Sequence, residues 1–182
     1  MMQRGKEVND VIKRIDDFTS THKQKVRGSK VYAEIQSVLK CSLPEAKAAA
    51  GKACNILSTY ALLYGAGLIT MTFAEWFKYL LDNEDISREN IGWIKSRKRD
   101  IFARLGLNIE LIESKTIDDL PDGLYQIKIE NEHGTHFMAG YVIDGVLYVS
   151  DTSWRGTHVK AATALKTDTL VWVVEYNTGG MA

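Results

Sequence analysis

Apolar positions recur at helical spacing through the first 106 residues and alternate along the chain after that. Val8, Val11, Ile12, Ile15 and Phe18 fall on one face with charges between them, predicting an amphipathic helix over 7–18. Thr19 to Gly28 is polar and ends in Arg27-Gly28-Ser29, a break and cap; Ser29 to Lys40 then repeats the pattern with Val31, Ile35, Val38 and Leu39. Ser42-Leu43-Pro44-Glu45 marks another helix start, with a cap residue, an early proline and an acid in the first turn. Ala46 to Tyr64 fits one long helix or two. Gly51-Lys52 is the ambiguous point, because glycine costs about 1 kcal/mol relative to alanine inside a helix. Thr72-Phe73-Ala74-Glu75 has the form of a capping box and opens a helix through Trp76, Phe77, Leu80 and Leu81. Ser87-Arg88-Glu89-Asn90 predicts a further helix carrying Ile91, Ile94, Ile101, Phe102 and Leu105 and ending at Gly106.

Beyond Gly106 the period becomes two, over Leu107–Glu113, Leu124–Glu130, the stretch Gly134 to Thr152, and Thr169–Tyr176. Pro121-Asp122-Gly123 reads as a turn between the first two strands, and Asp144-Gly145 as the turn of a hairpin. Helices first and strands after predict an α+β fold with a largely antiparallel sheet. The chain of 182 residues reads as one domain, 1–182. Within it lie a helical N-terminal extension (1–41), a helical half (42–106) and a sheet half (107–177).

Composition narrows the function classes. Lys plus Arg equals Asp plus Glu at 23 each, so net charge makes no case for nucleic acid or an anionic membrane. The basic cluster Lys95-Ser96-Arg97-Lys98-Arg99 falls inside the helix that Ser87 opens, where a solvated face is the simple account; nucleic-acid binding would bring a wider positive excess. No stretch reaches the roughly 18 apolar residues of a membrane span, and the first residues lack a signal peptide's apolar core. The expected location is therefore cytoplasmic. Two cysteines, Cys41 and Cys54, are too few for a disulfide framework.

The hairpin carries the first candidate chemistry. His136 stands at the start of its first strand and Asp151 at the end of its second, so pairing about Asp144-Gly145 brings a histidine and an acid together at the open end. A histidine held by an acceptor is half of a nucleophilic triad. Cys54 is the first candidate nucleophile: if the chain breaks at Gly51-Lys52 it opens a helix, where negative charge is favoured and the thiolate is the reactive form. Free cysteines are more commonly small buried residues. Cys41, directly before Ser42-Leu43-Pro44, is the rival, and takes over the helix-terminus argument if the helix runs unbroken to Tyr64. His133, His136 and His158 raise a metal site, but residues three apart on a strand face opposite ways and no further ligand spacing supports it, so no metal or cofactor is expected. Trp76, Trp93, Trp154 and Trp172 fall mostly in apolar patterns, as core or cleft wall.

The order of these pieces resembles the papain-like cysteine peptidases. It runs Cys54 with Ser58 four residues on, a helix ending in Tyr64-Gly65, a strand beginning His136-Phe137, a short hairpin, and Tyr148-Val149-Ser150-Asp151 at its far end. Among that superfamily it looks most like the bacterial double-glycine leader (bacteriocin-processing) peptidase group. The resemblance covers roughly residues 45 to 155. It implies a papain-like thiol hydrolase acting on a peptide or related amide. Cys54 would be nucleophile, His136 base and Asp151 its orienter, with Asn55, Phe137, Trp154 and Tyr141 as substrate contacts or cleft lining. Two departures stand out. The family places a glutamine shortly before the cysteine to stabilise the oxyanion, where this chain has Glu45-Ala46-Lys47-Ala48-Ala49-Ala50-Gly51; losing one such donor costs about 2.7–4 kcal/mol of transition-state stabilisation. The residue after the cysteine, commonly glycine, is Asn55. The backbone amide of Cys54, Asn55 or Lys52 would have to substitute. These departures motivate the alternative of a peptide-binding or interaction module without turnover. A further alternative is a phage-type peptidoglycan amidase or endopeptidase resembling the NlpC enzymes.

Overall fold

The computed structural model describes residues 6–132, 134–153, 158–160, 165 and 170–179. Among them, six helices precede six strands. The helices are α1 (Lys6–Thr21), α2 (Lys30–Leu39), α3 (Leu43–Gly51), α4 (Cys54–Gly65), α5 (Phe73–Asp82) and α6 (Lys98–Arg104). The strands are β1 (Glu110–Ser114), β2 (Gly123–Asn131), β3 (Gly134–Ile143), β4 (Val146–Ser150), β5 (His158–Lys160) and β6 (Leu170–Asn177). They form one antiparallel sheet in the order β1-β6-β2-β3-β4-β5. The fold is α+β, as the change of period predicts.

Local chemistry starts three of the helices where the sequence marks them. Ser29 accepts from the amide of Val31, and Ser42 from the amide of Glu45 at 3.2 Å. Thr72 and Glu75 close a reciprocal capping box at 3.1 and 2.9 Å. The ambiguous stretch Ala46 to Tyr64 is two helices: α3 stops at Gly51 and α4 begins at Cys54.

Helix α4 is buried on nearly every side, from Asn55 to Leu63, which is the pattern of a core helix rather than an amphipathic one. It packs between α1 and strands β2 and β3. The α1 contact is close: a Cβ on Gly65 would lie 2.4 Å from Ile15 Cγ1, and Arg14 donates to Gly65 O at 3.0 and 2.7 Å. On the helix-covered face of the sheet, Leu124, Ala139, Tyr141 and Tyr176 join the main core. Tyr125, Ile127, Met138, Val142, Val149 and Val173 form a second cluster. The hairpin turns as predicted, with Asp144 and Gly145 at φ 52° and 76° and Ile143 opposite Val146. The Asp122 carboxylate accepts from both turn amides at 3.1 Å.

Three expectations need correction. No helix starts at Ser87: the Ser87–Asn90 segment closes a tight turn, with the Asn90 amide donating to Ser87 O and Oγ, and Lys95 N then donates to Asp85 O at 2.7 Å. The helix begins only at Lys98, so Lys95, Ser96 and Arg97 belong to a loop, and Trp93 is 60 % exposed rather than core or cleft wall. Strands β1 and β2 are also not neighbours, because β6 returns between them.

The close α1–α4 approach gives a stability test. Gly65→Ala is expected to destabilise the protein by about 1–3 kcal/mol through overpacking against Ile15, despite alanine's better helix propensity. Denaturant unfolding would measure it, and an unchanged midpoint would contradict the packing.

Candidate active site

Cys54 is the first residue of α4, separated from the end of α3 by two residues. Its N-cap residue is Ala53, which has no side chain able to take the first amides of the helix. The N–H groups of a helix's first turn are unsatisfied by the helix itself, and the dipole favours negative charge there. A serine or aspartate cap would compete for those amides; alanine leaves them available to an anion at Cys54.

The break that creates this terminus is secured by the N-terminal extension. Gln24 Nε2 donates to Ala50 O at 2.9 Å and Gly51 O at 3.3 Å, at the end of α3. The same residue binds the segment that carries the acid: Gln24 N donates to Thr152 O at 2.9 Å and Gln24 Oε1 accepts from Thr152 Oγ1 at 3.0 Å. Lys23 Nζ donates to Asp151 O at 2.5 Å, and the hydroxyls of Thr19 and Ser150 lie 2.6 Å apart. Residues 19–24 therefore tie the chain just before Cys54 to the chain around Asp151.

His136 and Asp151 meet at the open end of the hairpin. His136 Nε2 lies 2.9 and 3.0 Å from the two carboxylate oxygens of Asp151, whose side chain is fully buried. Asp151 also accepts from Ser153 N at 3.0 Å and Ser153 Oγ at 2.6 Å. With Nε2 engaged, Nδ1 is the ring nitrogen left for Cys54, which acts on His136 by hydrogen bond and charge. Burial alone would lower the histidine's pKa. The hydrogen bonds to Asp151 and Cys54, with their charges, outweigh it and raise the value to about 10. The direction of the shift favours the protonated ring, an imidazolium beside the Asp151 carboxylate.

Beneath α4 lies a buried amide. Gln126 Nε2, on β2, lies 3.2 Å from Asn55 Oδ1, 2.7 Å from Ser58 Oγ and 3.2 Å from Thr59 Oγ1. Its Oε1 accepts from Tyr176 OH and from Lys98 Nζ, both at 2.8 Å. Lys98 is half-buried as a whole, but its ammonium sits where protein displaces water. Burial, and then the neighbouring charge of Lys128, lower its pKa to about 7 against an opposing pull from Cys54.

The structure brings Cys54, His136 and Asp151 together. Cys41 stands apart from them, beside Ser42, on the wall of a cavity of about 550 Å³ that also includes Leu39, Glu45 and Ile91. Asn55 is 8 % exposed with its carboxamide oxygen facing Gln126, which places it in the support under the start of α4 rather than on the cleft wall. Tyr141 is likewise no cleft residue: it is buried, with its hydroxyl 3.1 Å from Asp16 Oδ2 on α1. Phe137 is half-buried beneath Lys98 and Lys128. Trp154 and His133 lie outside the described residues, and of His158 only its place in β5 is described.

The sequence reading missed Gln24, Gln126, Lys98 and Ser153. Gln126 left a signal, a polar residue in the inward-facing row that Leu124 begins on β2. Gln24 left none within its polar stretch. Comparison with protein-family models, with curated proteins and with solved structures gives no match.

Two tests follow from this geometry. Gln24→Ala removes the side-chain donor to Ala50 O and Gly51 O and the acceptor of Thr152 Oγ1, and is expected to cost about 1–3 kcal/mol in denaturant unfolding; a smaller loss would show that the break does not need it. His136 has a folded pKa above its ordinary 6.5, so the stability it adds is fully present below that pH and disappears as pH rises through about 10. Lys98 acts in the opposite sense, its penalty being full below about 7 and gone above its ordinary 10.5, so the two must be separated by difference. The stability gap between the protein and its His136→Ala variant is therefore expected to shrink steadily from pH 6.5 to 10. A gap that is constant or widens over that range would refute the imidazolium.

Proposed function

We propose that this chain is a papain-like thiol hydrolase acting on a peptide or related amide. The observation that supports the proposal is one imidazole hydrogen-bonded to the Asp151 carboxylate and influenced by Cys54, which stands at an uncapped helix start. In this reading the Cys54 thiolate adds to the scissile carbonyl carbon, whose π electrons move onto oxygen beside the Cys54 amide. Collapse of that intermediate breaks the carbon–nitrogen bond, and the leaving amine takes the proton from His136. Water then gives a proton back to His136 as its oxygen attacks the thioester, releasing the acid and restoring thiolate and imidazolium. Asp151 keeps the ring oriented throughout.

One observation favours a second reading, a peptide-binding module without turnover. Both glutamines near the site are committed, Gln24 Nε2 to the end of α3 and Gln126 Nε2 to α4, so neither supplies a free carboxamide donor for an oxyanion.

Site-resolved alkylation by iodoacetamide at pH 6 tests the proposal. Cys54 is expected to react much faster than Cys41, and His136→Ala is expected to slow Cys54 at least about tenfold by removing its activating partner. Cys54→Ala is expected to remove the fast phase together with any amide release from peptide mixtures or purified cell wall. A slow Cys54 in the unaltered protein would sink the thiol-hydrolase reading. Fast labelling without turnover would favour the binding module.

A further inference from the structure

The helix-covered face of the sheet continues past the start of α4 as a cross-strand row. Phe137 on β3 and Trp172 on β6 both lie directly opposite Lys128 on β2. All three are half-buried, so the row forms a partly open floor beside the nucleophile. Lys128 Nζ lies 4.5 Å from the Trp172 ring centre and 5.8 Å from that of Phe137. Lys98 Nζ approaches the same Phe137 ring at 5.1 Å. Two ammonium groups thus approach one aromatic ring, and one of them, Lys98, also interacts with Cys54.

Their partners differ. Lys128 has a carboxylate, Glu130, at 3.0 Å. Lys98 has Gln126 Oε1 and a ring, both uncharged, and no carboxylate among the described residues. A desolvated ammonium with no carboxylate partner, beside a like charge and offset only in part by Cys54, is an unfavourable arrangement for folding. Its pKa, lowered by burial, agrees with this. An arriving anion would relieve that cost. A lysine held in this way, beside a nucleophile and above an aromatic floor, has the chemistry of a carboxylate subsite.

We propose that Lys98 is a substrate-binding residue that holds a carboxylate of the substrate next to the scissile amide. The inference rests on the thiol-hydrolase reading and adds a substrate class to it, peptides carrying an anionic group adjacent to the bond attacked. The carboxylate belongs either to an acidic side chain or to a free C-terminus.

The test uses two reagents of the same size and chemistry, iodoacetate and iodoacetamide, with modification at Cys54 followed peptide by peptide on the full chain. Failure of both to label Cys54 rapidly would overturn the underlying reading rather than the subsite. Where labelling is fast, the ratio of iodoacetate to iodoacetamide rates reports the cation. Lys98→Gln is expected to lower that ratio about tenfold, each rate being normalised to the iodoacetamide rate of the same variant, and Lys98→Arg to preserve it. An unchanged ratio in Lys98→Gln would refute the proposal.

A second arm needs no variant. Acetylated peptide amides containing glutamate, and neutral peptides ending in a free carboxylate, compete with iodoacetamide at Cys54. Each is compared with its uncharged counterpart, containing glutamine or ending in an amide. Protection by the first set assigns an acidic side chain, and protection by the second a C-terminus. No gain over the uncharged peptides in either set overturns the subsite.

Discussion

Where α3 stops, its last carbonyls face protein, and the carboxamide of Gln24 reaches Ala50 O and Gly51 O. This hydrogen bonding supports the geometry at the candidate site. If the helix continued through residues 51–53, Cys54 would become a mid-helix side chain with its amide consumed by the ladder. Glycine at position 51 weakens the continuation by only about 1 kcal/mol, too little alone to dictate a break. Once the ladder stops, the Gln24 carboxamide donates to Ala50 O, alongside the Ala53 amide, and to Gly51 O, so the carbonyls released by the break are not left unpaired. The main-chain amide of Gln24 binds Thr152 as well, so the same residue ties the end of α3 to the segment that carries Asp151.

The underside of the site is secured in the same manner. A fully apolar helix could slide along the sheet with little loss, since hydrophobic burial is non-directional. Gln126 removes that freedom. Its carboxamide is shared among Asn55, Ser58 and Thr59, one turn of α4, and its oxygen is taken by Tyr176 and Lys98. Buried polar groups of this kind define a register because any displacement leaves several of them unsatisfied. The hydroxyl four residues after Cys54 serves here as part of that lock: Ser58 Oγ donates to Cys54 O at 2.7 Å.

The parts legible from sequence were those governed by local rules. Periodicity and caps placed α1, α2, α3 and α5, and the Asp-Gly turn fixed the hairpin register that joins His136 to Asp151. The failures have non-local causes. Ser87 to Asn90 carries a good helix-start pattern, yet the buried Asp85 carboxylate is met by Ser96 Oγ and Arg104, and its carbonyl by Lys95 N, so the segment folds back as a loop. Tyr141 and Asn55 sit at plausible cleft positions in sequence; α1 and Gln126, distant along the chain, claim them. Gln24 and Lys98 lie in stretches that look like ordinary polar surface, and only the tertiary fold gives them partners.

The charges around Cys54 differ in how firmly each is held. His136 has a buried carboxylate behind it, so its positive charge is stabilised whether or not a ligand is present. Lys98 has a neutral amide, an aromatic ring and a second lysine, offset only in part by Cys54, so its positive charge is held less firmly than that of His136. A cleft built from two equally stabilised cations would hold its thiolate tightly and offer nothing further to an incoming group. Under the proposed function, the anchored cation would keep its proton for the thiol and the less satisfied one would gain most from an anion supplied by the ligand. On electrostatic grounds the unsatisfied partner is where discrimination between ligands is greatest, because the difference between bound and free states is largest there.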